Sequence, residues 1–188
     1  MEGKVAICVG EWADNGETCM SVEEGVAHYQ SRPAAFLLMA GLRVKSHGNE
    51  GHTYATVLQA AVEAHRAAGI FTEASAGNSG PGCSSVQNPP ALYDEVFTAA
   101  AVDSTRALAT FSNRGPVTID GSNRLKPNIS APGVDVRSCV PGGGYSNYSG
   151  TSMATPNAAA VAALIWSYKP CLNDSGVKQI LLQSCDNI

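Results

Sequence analysis

Apolar positions along the chain fall into two rhythms. Residues 34–41 (Ala-Ala-Phe-Leu-Leu-Met-Ala-Gly) form an unbroken apolar run, the pattern of a strand buried on both faces. Residues 4–10 and 69–75 also read as strands, and 90–103 reads as a turn leading into another buried strand. Between them lie stretches with helical spacing. In 21–30, Val22, Val26 and Tyr29 recur at about one helical turn, and 53–68 forms a second helical stretch. Near the C-terminus, the alanine-rich run 157–163 reads as a buried helix. Strands and helices thus alternate up to residue 75, which predicts an α/β protein.

Composition agrees and narrows the function. Charged residues make up only 15% of the 188-residue chain, while glycine and small apolar residues are abundant, as in a compact enzyme domain. The length suits one domain, and no repeat or linker interrupts it. The net charge is −4 and the basic residues are scattered, which argues against nucleic-acid binding. No apolar segment approaches the roughly 20 residues that span a bilayer, so no membrane association is expected. The opening Met-Glu-Gly-Lys carries no hydrophobic signal region, so secretion is not encoded there.

Six cysteines (Cys8, Cys19, Cys83, Cys139, Cys171, Cys185) are dispersed, with no C-x-x-C pair to suggest zinc. Cys171 and Cys185 bracket the last helix and are placed to staple it; buried free thiols are an equal reading.

The candidate chemistry lies in two segments. Gly150-Thr151-Ser152-Met153-Ala154-Thr155-Pro156 puts a serine between a tight turn and the alanine-rich helix. Free N–H groups and the positive end of a helix dipole there favour an anionic intermediate beside the hydroxyl. Taken alone, Ser152 also reads as a helix cap. Ala76-Gly77-Asn78-Ser79-Gly80-Pro81 follows the strand at 69–75, and Asn78 alone would pass for a turn residue.

Together these segments resemble the subtilisin-like serine peptidases (subtilases). Two further blocks match the same family in the same order: Phe111-Ser112-Asn113-Arg114-Gly115-Pro116 and Lys126-Pro127-Asn128-Ile129-Ser130-Ala131-Pro132-Gly133. The resemblance implies a doubly wound, mostly parallel α/β sheet of the subtilisin type. It implies Ser152 as nucleophile, with the Asn78 side chain and the Ser152 N–H as oxyanion donors. It also implies short strands at 109–113 and 127–131.

In this family the catalytic Asp and His precede the serine in chain order. The Asp-Ser/Thr-Gly and His-Gly-Thr-His-Val-Ala-Gly blocks that carry them do not occur here. The nearest echoes are Asp14-Asn15-Gly16 and the histidines His47 and His52, none in the family's catalytic register. The 77 residues before Asn78 are taken up by three strands and two helices, so the chain reads as a partial catalytic domain over 1–188, incomplete at its N-terminal side. The missing groups are expected from an absent N-terminal segment or a second chain.

By the same resemblance, a peptide or protein substrate lies as an added strand between Ala40, Gly41 and Leu42 on one side and Ser75, Ala76 and Gly77 on the other. No cofactor is required. The carbonyls of Ala91, Tyr93 and Val96 match a segment that holds a weak cation in the family, so calcium is the candidate ion. Three functions follow: a serine endopeptidase domain, a non-catalytic peptide-binding pseudo-peptidase or fragment, and a weak esterase that uses His47 or His52 as an improvised base.

Overall fold

The computed structural model describes the backbone of residues 35–39 and residues 58–186 in full. The expected strand at 4–10, the helix at 21–30 and the first residues of the 53–68 helix lie outside these. So do Asp14, His47, His52, Cys8, Cys19, Ala40, Gly41 and Leu42.

Four parallel strands form the centre: β1 (Ala35–Met39), β2 (Ile70–Ser75), β3 (Phe97–Val102) and β4 (Ile129–Pro132), side by side in that order. Ala35 faces Ile70, Glu73 faces Phe97 and Ala99 faces Ile129 across the ladders. Every residue of β3, and all of β2 except half-buried Ser75, is buried. Both strands are thus buried on both faces, as in a parallel sheet covered on each side.

Helix α1 (Gln59–Ala67) precedes β2. It stops at Gly69, whose φ of +75° is open to glycine without strain and whose N–H closes the last turn on the Arg66 carbonyl. Val62 of α1 packs with Ala74, Leu92 and Val96 on one face of the sheet. On the opposite face, Phe71 and Phe97 pack against Ala162 and Trp166 of α2 (Thr151–Tyr168) and Val177 and Leu181 of α3 (Asp174–Ser184). Phe71 and Ala74 have opposite parity in β2, so helices cover both faces and the sheet is doubly wound. The Phe71 and Trp166 rings meet edge to face at 5.7 Å, and truncating either to alanine would cost about 3–5 kcal/mol.

α3 starts cleanly because Asn173 caps it, accepting from the Gly176 N–H at 2.9 Å. An antiparallel hairpin, β5 (Val136–Val140) and β6 (Gly144–Tyr148), turns at Gly142 and Gly143 and delivers the chain to α2.

The short strand expected at 109–113 does not form. That stretch folds in turns, because its polar groups brace neighbouring elements instead of joining a ladder: Ser112 Oγ accepts from Ala101 N–H and the Asn113 N–H donates to the Gly77 carbonyl. Cys83, Cys139, Cys171 and Cys185 are exposed free thiols, so no disulfide staples α3. Among the described residues no helix is long and apolar enough to cross a membrane.

Candidate active site

Ser152 is the second residue of α2, half-buried, in the first turn where backbone N–H groups have no intrahelical acceptor. The end of β4 fixes the entry to this turn. The Gly150 N–H donates to the Gly133 carbonyl at 2.8 Å. Gly133 sits so close that a Cβ there would lie 2.6 Å from the Ala101 Cβ and 2.9 Å from the Gly150 oxygen. Further along, Pro156 lacks an N–H, so the Ser152 carbonyl receives no helical bond from the residue four positions on.

The loop after β2 carries Asn78 to the same place. Its Oδ1 accepts from the Thr151 N–H at 2.9 Å and from the Thr151 hydroxyl at 3.0 Å, and Thr151 Oγ1 accepts from the Gly77 N–H at 3.2 Å. With the oxygen end tied down, the Nδ2 donors of this exposed side chain stay available beside the start of α2. A Cβ on Gly150 would stand 3.6 Å from Asn78 Nδ2. The structure therefore brings Asn78 alongside Ser152. Sequence reasoning missed Thr151, although it adjoins the serine, because its partner is far away in the chain.

Asn113, also missed, locks this loop. Buried, it donates from Nδ2 to the Ala76 and Ser85 carbonyls, both at 2.9 Å, and accepts from the Ser79 N–H at 2.7 Å. It bonds the Ala76 carbonyl, and its own N–H bonds that of Gly77. Of the expected substrate-contacting residues, only Ser75, Ala76 and Gly77 lie within the described part, at the end of β2.

The one histidine among the described residues is His65 of α1. It is buried, its pKa lowered by desolvation, and it shares a 3.4 Å hydrogen bond with Thr72. Thr72 has the parity of Ala74, so His65 lies across the sheet from α2 and Ser152.

Two buried charged groups escaped the sequence analysis. Glu73, in the middle of β2, has neither carboxyl oxygen hydrogen-bonded, and burial pushes its pKa up to about 9. Lys126 is 4% exposed; burial pulls its pKa down to about 7, against the opposing pull of Asp94. Its Nζ donates to the Val96 carbonyl, to Asn128 Oδ1 at 2.8 Å and to Thr98 Oγ1 at 3.4 Å.

Comparison with known proteins gives this arrangement a context. The model of the subtilase family matches residues 18–187. Bacillopeptidase F of Bacillus subtilis is 45% identical over 132 residues, covering 66% of this chain and 9% of that protein. Subtilisin DY of Bacillus licheniformis is 38% identical over 149 residues, covering 79% of this chain and 51% of the relative. Among solved structures, the S41 psychrophilic protease superposes with a TM-score of 0.68 at 30% identity, over 85% of this chain and 53% of that one. The chain thus spans about half the length, or less, of these relatives.

Proposed function

Because the chain belongs to the subtilase family, we propose that residues 1–188 form part of a serine endopeptidase domain in which Ser152 is the nucleophile and Asn78 an oxyanion donor. The observation that carries this reading is the pair of hydrogen bonds that Thr151 donates to Asn78 Oδ1, which leaves the Asn78 amide donors free next to Ser152.

In this reading, Ser152 Oγ attacks the carbonyl carbon of a peptide bond, and the carbonyl oxygen takes up negative charge. That charge is met by Asn78 Nδ2–H and by the Ser152 N–H at the positive end of α2. The donors are held in place before reaction, so no reorganisation is required as the charge develops.

The serine hydroxyl needs a base, since unaided it is a poor nucleophile. His65 lies on the wrong face of the sheet to serve. The sequence lacks the family's Asp and His blocks, so the base and its orienting acid come from residues outside this chain, on a preceding segment or a second polypeptide. Peptide or protein substrates bind as an added strand beside the end of β2.

Fragment complementation with fluorophosphonate labelling tests this. The chain is labelled alone and after mixing with a subtilase segment that carries the Asp-Ser/Thr-Gly and His-Gly-Thr-His-Val-Ala-Gly blocks. Labelling that appears on mixing and vanishes in Ser152→Ala is the expected result. Equal labelling of Ser152 without the added segment would mean that a base lies within the chain, as in the esterase reading. No labelling in either case, with the segment bound, would leave a peptide-binding module.

A further inference from the structure

The turn between residues 91 and 96 presents backbone carbonyls that three cationic side chains occupy. Arg124 Nη1 donates to the Leu92 carbonyl, Lys178 Nζ to that of Glu95 at 2.7 Å, and Lys126 Nζ to that of Val96. The three carbonyls expected to hold a weak cation all have donors from the chain itself. Ala91 O accepts from Thr98 Oγ1 at 2.7 Å, Tyr93 O from the Val96 N–H at 3.4 Å, and Val96 O from Lys126. A metal ion does not fit this arrangement, because calcium takes six or more converging oxygens and here an ammonium already points at one of them.

The surroundings of Lys126 are those of a cation site. A backbone carbonyl, a side-chain amide oxygen and a hydroxyl converge on one buried positive group, with no carboxylate among the described residues in direct contact. Asn128 is shared with the fold: its Oδ1 also accepts from the Thr98 N–H at 2.9 Å, and its own N–H donates to the Thr98 carbonyl at 2.8 Å. The oxygens are therefore fixed by the pairing of β3 with the start of β4, whatever cation they meet.

We infer that the Lys126 ammonium is a cation built into the chain, at a position between Val96, Thr98 and Asn128 where it occupies the Val96 carbonyl, one of the three expected to meet a weakly bound metal ion. Emptying that position by side-chain truncation creates a site for a monovalent cation or an alkylammonium ion. This inference is independent of the role assigned to Ser152.

Thermal unfolding of the full chain at a mildly acidic pH tests it, in choline, sodium, potassium, calcium or propylammonium chloride at equal ionic strength. The wild-type Tm is expected to be the same in all five salts. Lys126→Ala is expected to melt lower by roughly 5–10 °C in choline and to recover at least about half of that in potassium or propylammonium. Lys126→Met, whose side chain still fills the space, is expected to melt lower and not to recover. A wild-type chain stabilised by calcium or potassium over choline would overturn the inference. So would a Lys126→Ala chain that no cation stabilises. If Lys126→Ala does not fold in choline, folding restored by potassium or propylammonium supports the inference and no restoration overturns it.

Discussion

Asn78 and Thr151, 73 positions apart, are joined twice, since the Asn78 amide oxygen accepts both the N–H and the hydroxyl of Thr151. Thr151→Val keeps the first bond and removes the second, whereas Thr151→Ser keeps both. In the complemented domain, the rate constant for fluorophosphonate labelling of Ser152 is expected to fall about 10-fold in Thr151→Val and stay near wild type in Thr151→Ser. Asn78→Ala, which removes the donor itself, is expected to lose about 10- to 100-fold. Equal rates in all four proteins would remove Asn78 from the mechanism.

Gly77 packs against the side chain that locks the loop. A Cβ there would lie 2.3 Å from Asn113 Nδ2, and its φ of +103° already disfavours other residues. Gly77→Ala is expected to displace Asn113 and destabilise the chain by about 2–4 kcal/mol, as buried polar groups lose partners. The urea midpoint reads the cost. Amide hydrogen exchange should locate it at Ser79, whose N–H the Asn113 carboxamide accepts. Unchanged protection at Ser79 would contradict this.

Glu73 makes stability depend on pH with a predictable sign. Its pKa rises from 4.5 to about 9 on folding, so between those values the folded chain keeps a proton that the unfolded chain has released. Its contribution is complete below the lower value and declines as pH rises, by up to about 1.4 kcal/mol per unit, levelling off above the upper value. Glu73→Gln is expected to gain on the wild type in urea midpoint from about pH 5 to about pH 8. Parallel midpoints across that range would place the source of any pH dependence elsewhere.

Among the described residues, nothing covers one flank of α2. Val161, Leu164 and Tyr168 are 46%, 68% and 83% exposed and recur three and four residues apart, which aligns them in one stripe. The isolated chain is expected to self-associate through this stripe, and the double variant Leu164→Lys, Tyr168→Glu to shift it toward monomer. Size-exclusion chromatography with light scattering measures both. A wild-type chain that elutes as a monomer and unfolds in one cooperative step would contradict the expectation.

Much of this was legible in the sequence wherever the signal was continuous along the chain. The apolar run at 34–41 gave β1, 69–75 gave β2, and Gly150 to Pro156 marked the start of α2. Signals that depend on distant partners were hidden. Nothing near Thr151 announces that its hydroxyl will meet Asn78, and nothing near Asn113 announces a lock on the loop after β2. The motif at 109–113 suggested a strand, but its polar groups were committed to β3 and the loop at Gly77. Glu73 was hidden for a different reason. A charge in an apolar strand reads as an outward-facing position, yet both faces of β2 are covered. Lys126 lay in a recognised block, but its target carbonyl, Val96, is 30 positions earlier.

The strand order β1-β2-β3-β4 follows the chain without a skip. Among the described strands, none is separated from its sequence neighbour by a place that another strand must fill. Among these described strands a complementing polypeptide has no ladder to prise open. It can join at a margin of the sheet, by addition and not by insertion. The hydrogen bonds that seat Asn78 against Thr151 lie between elements already in place, so docking such a partner would leave them undisturbed.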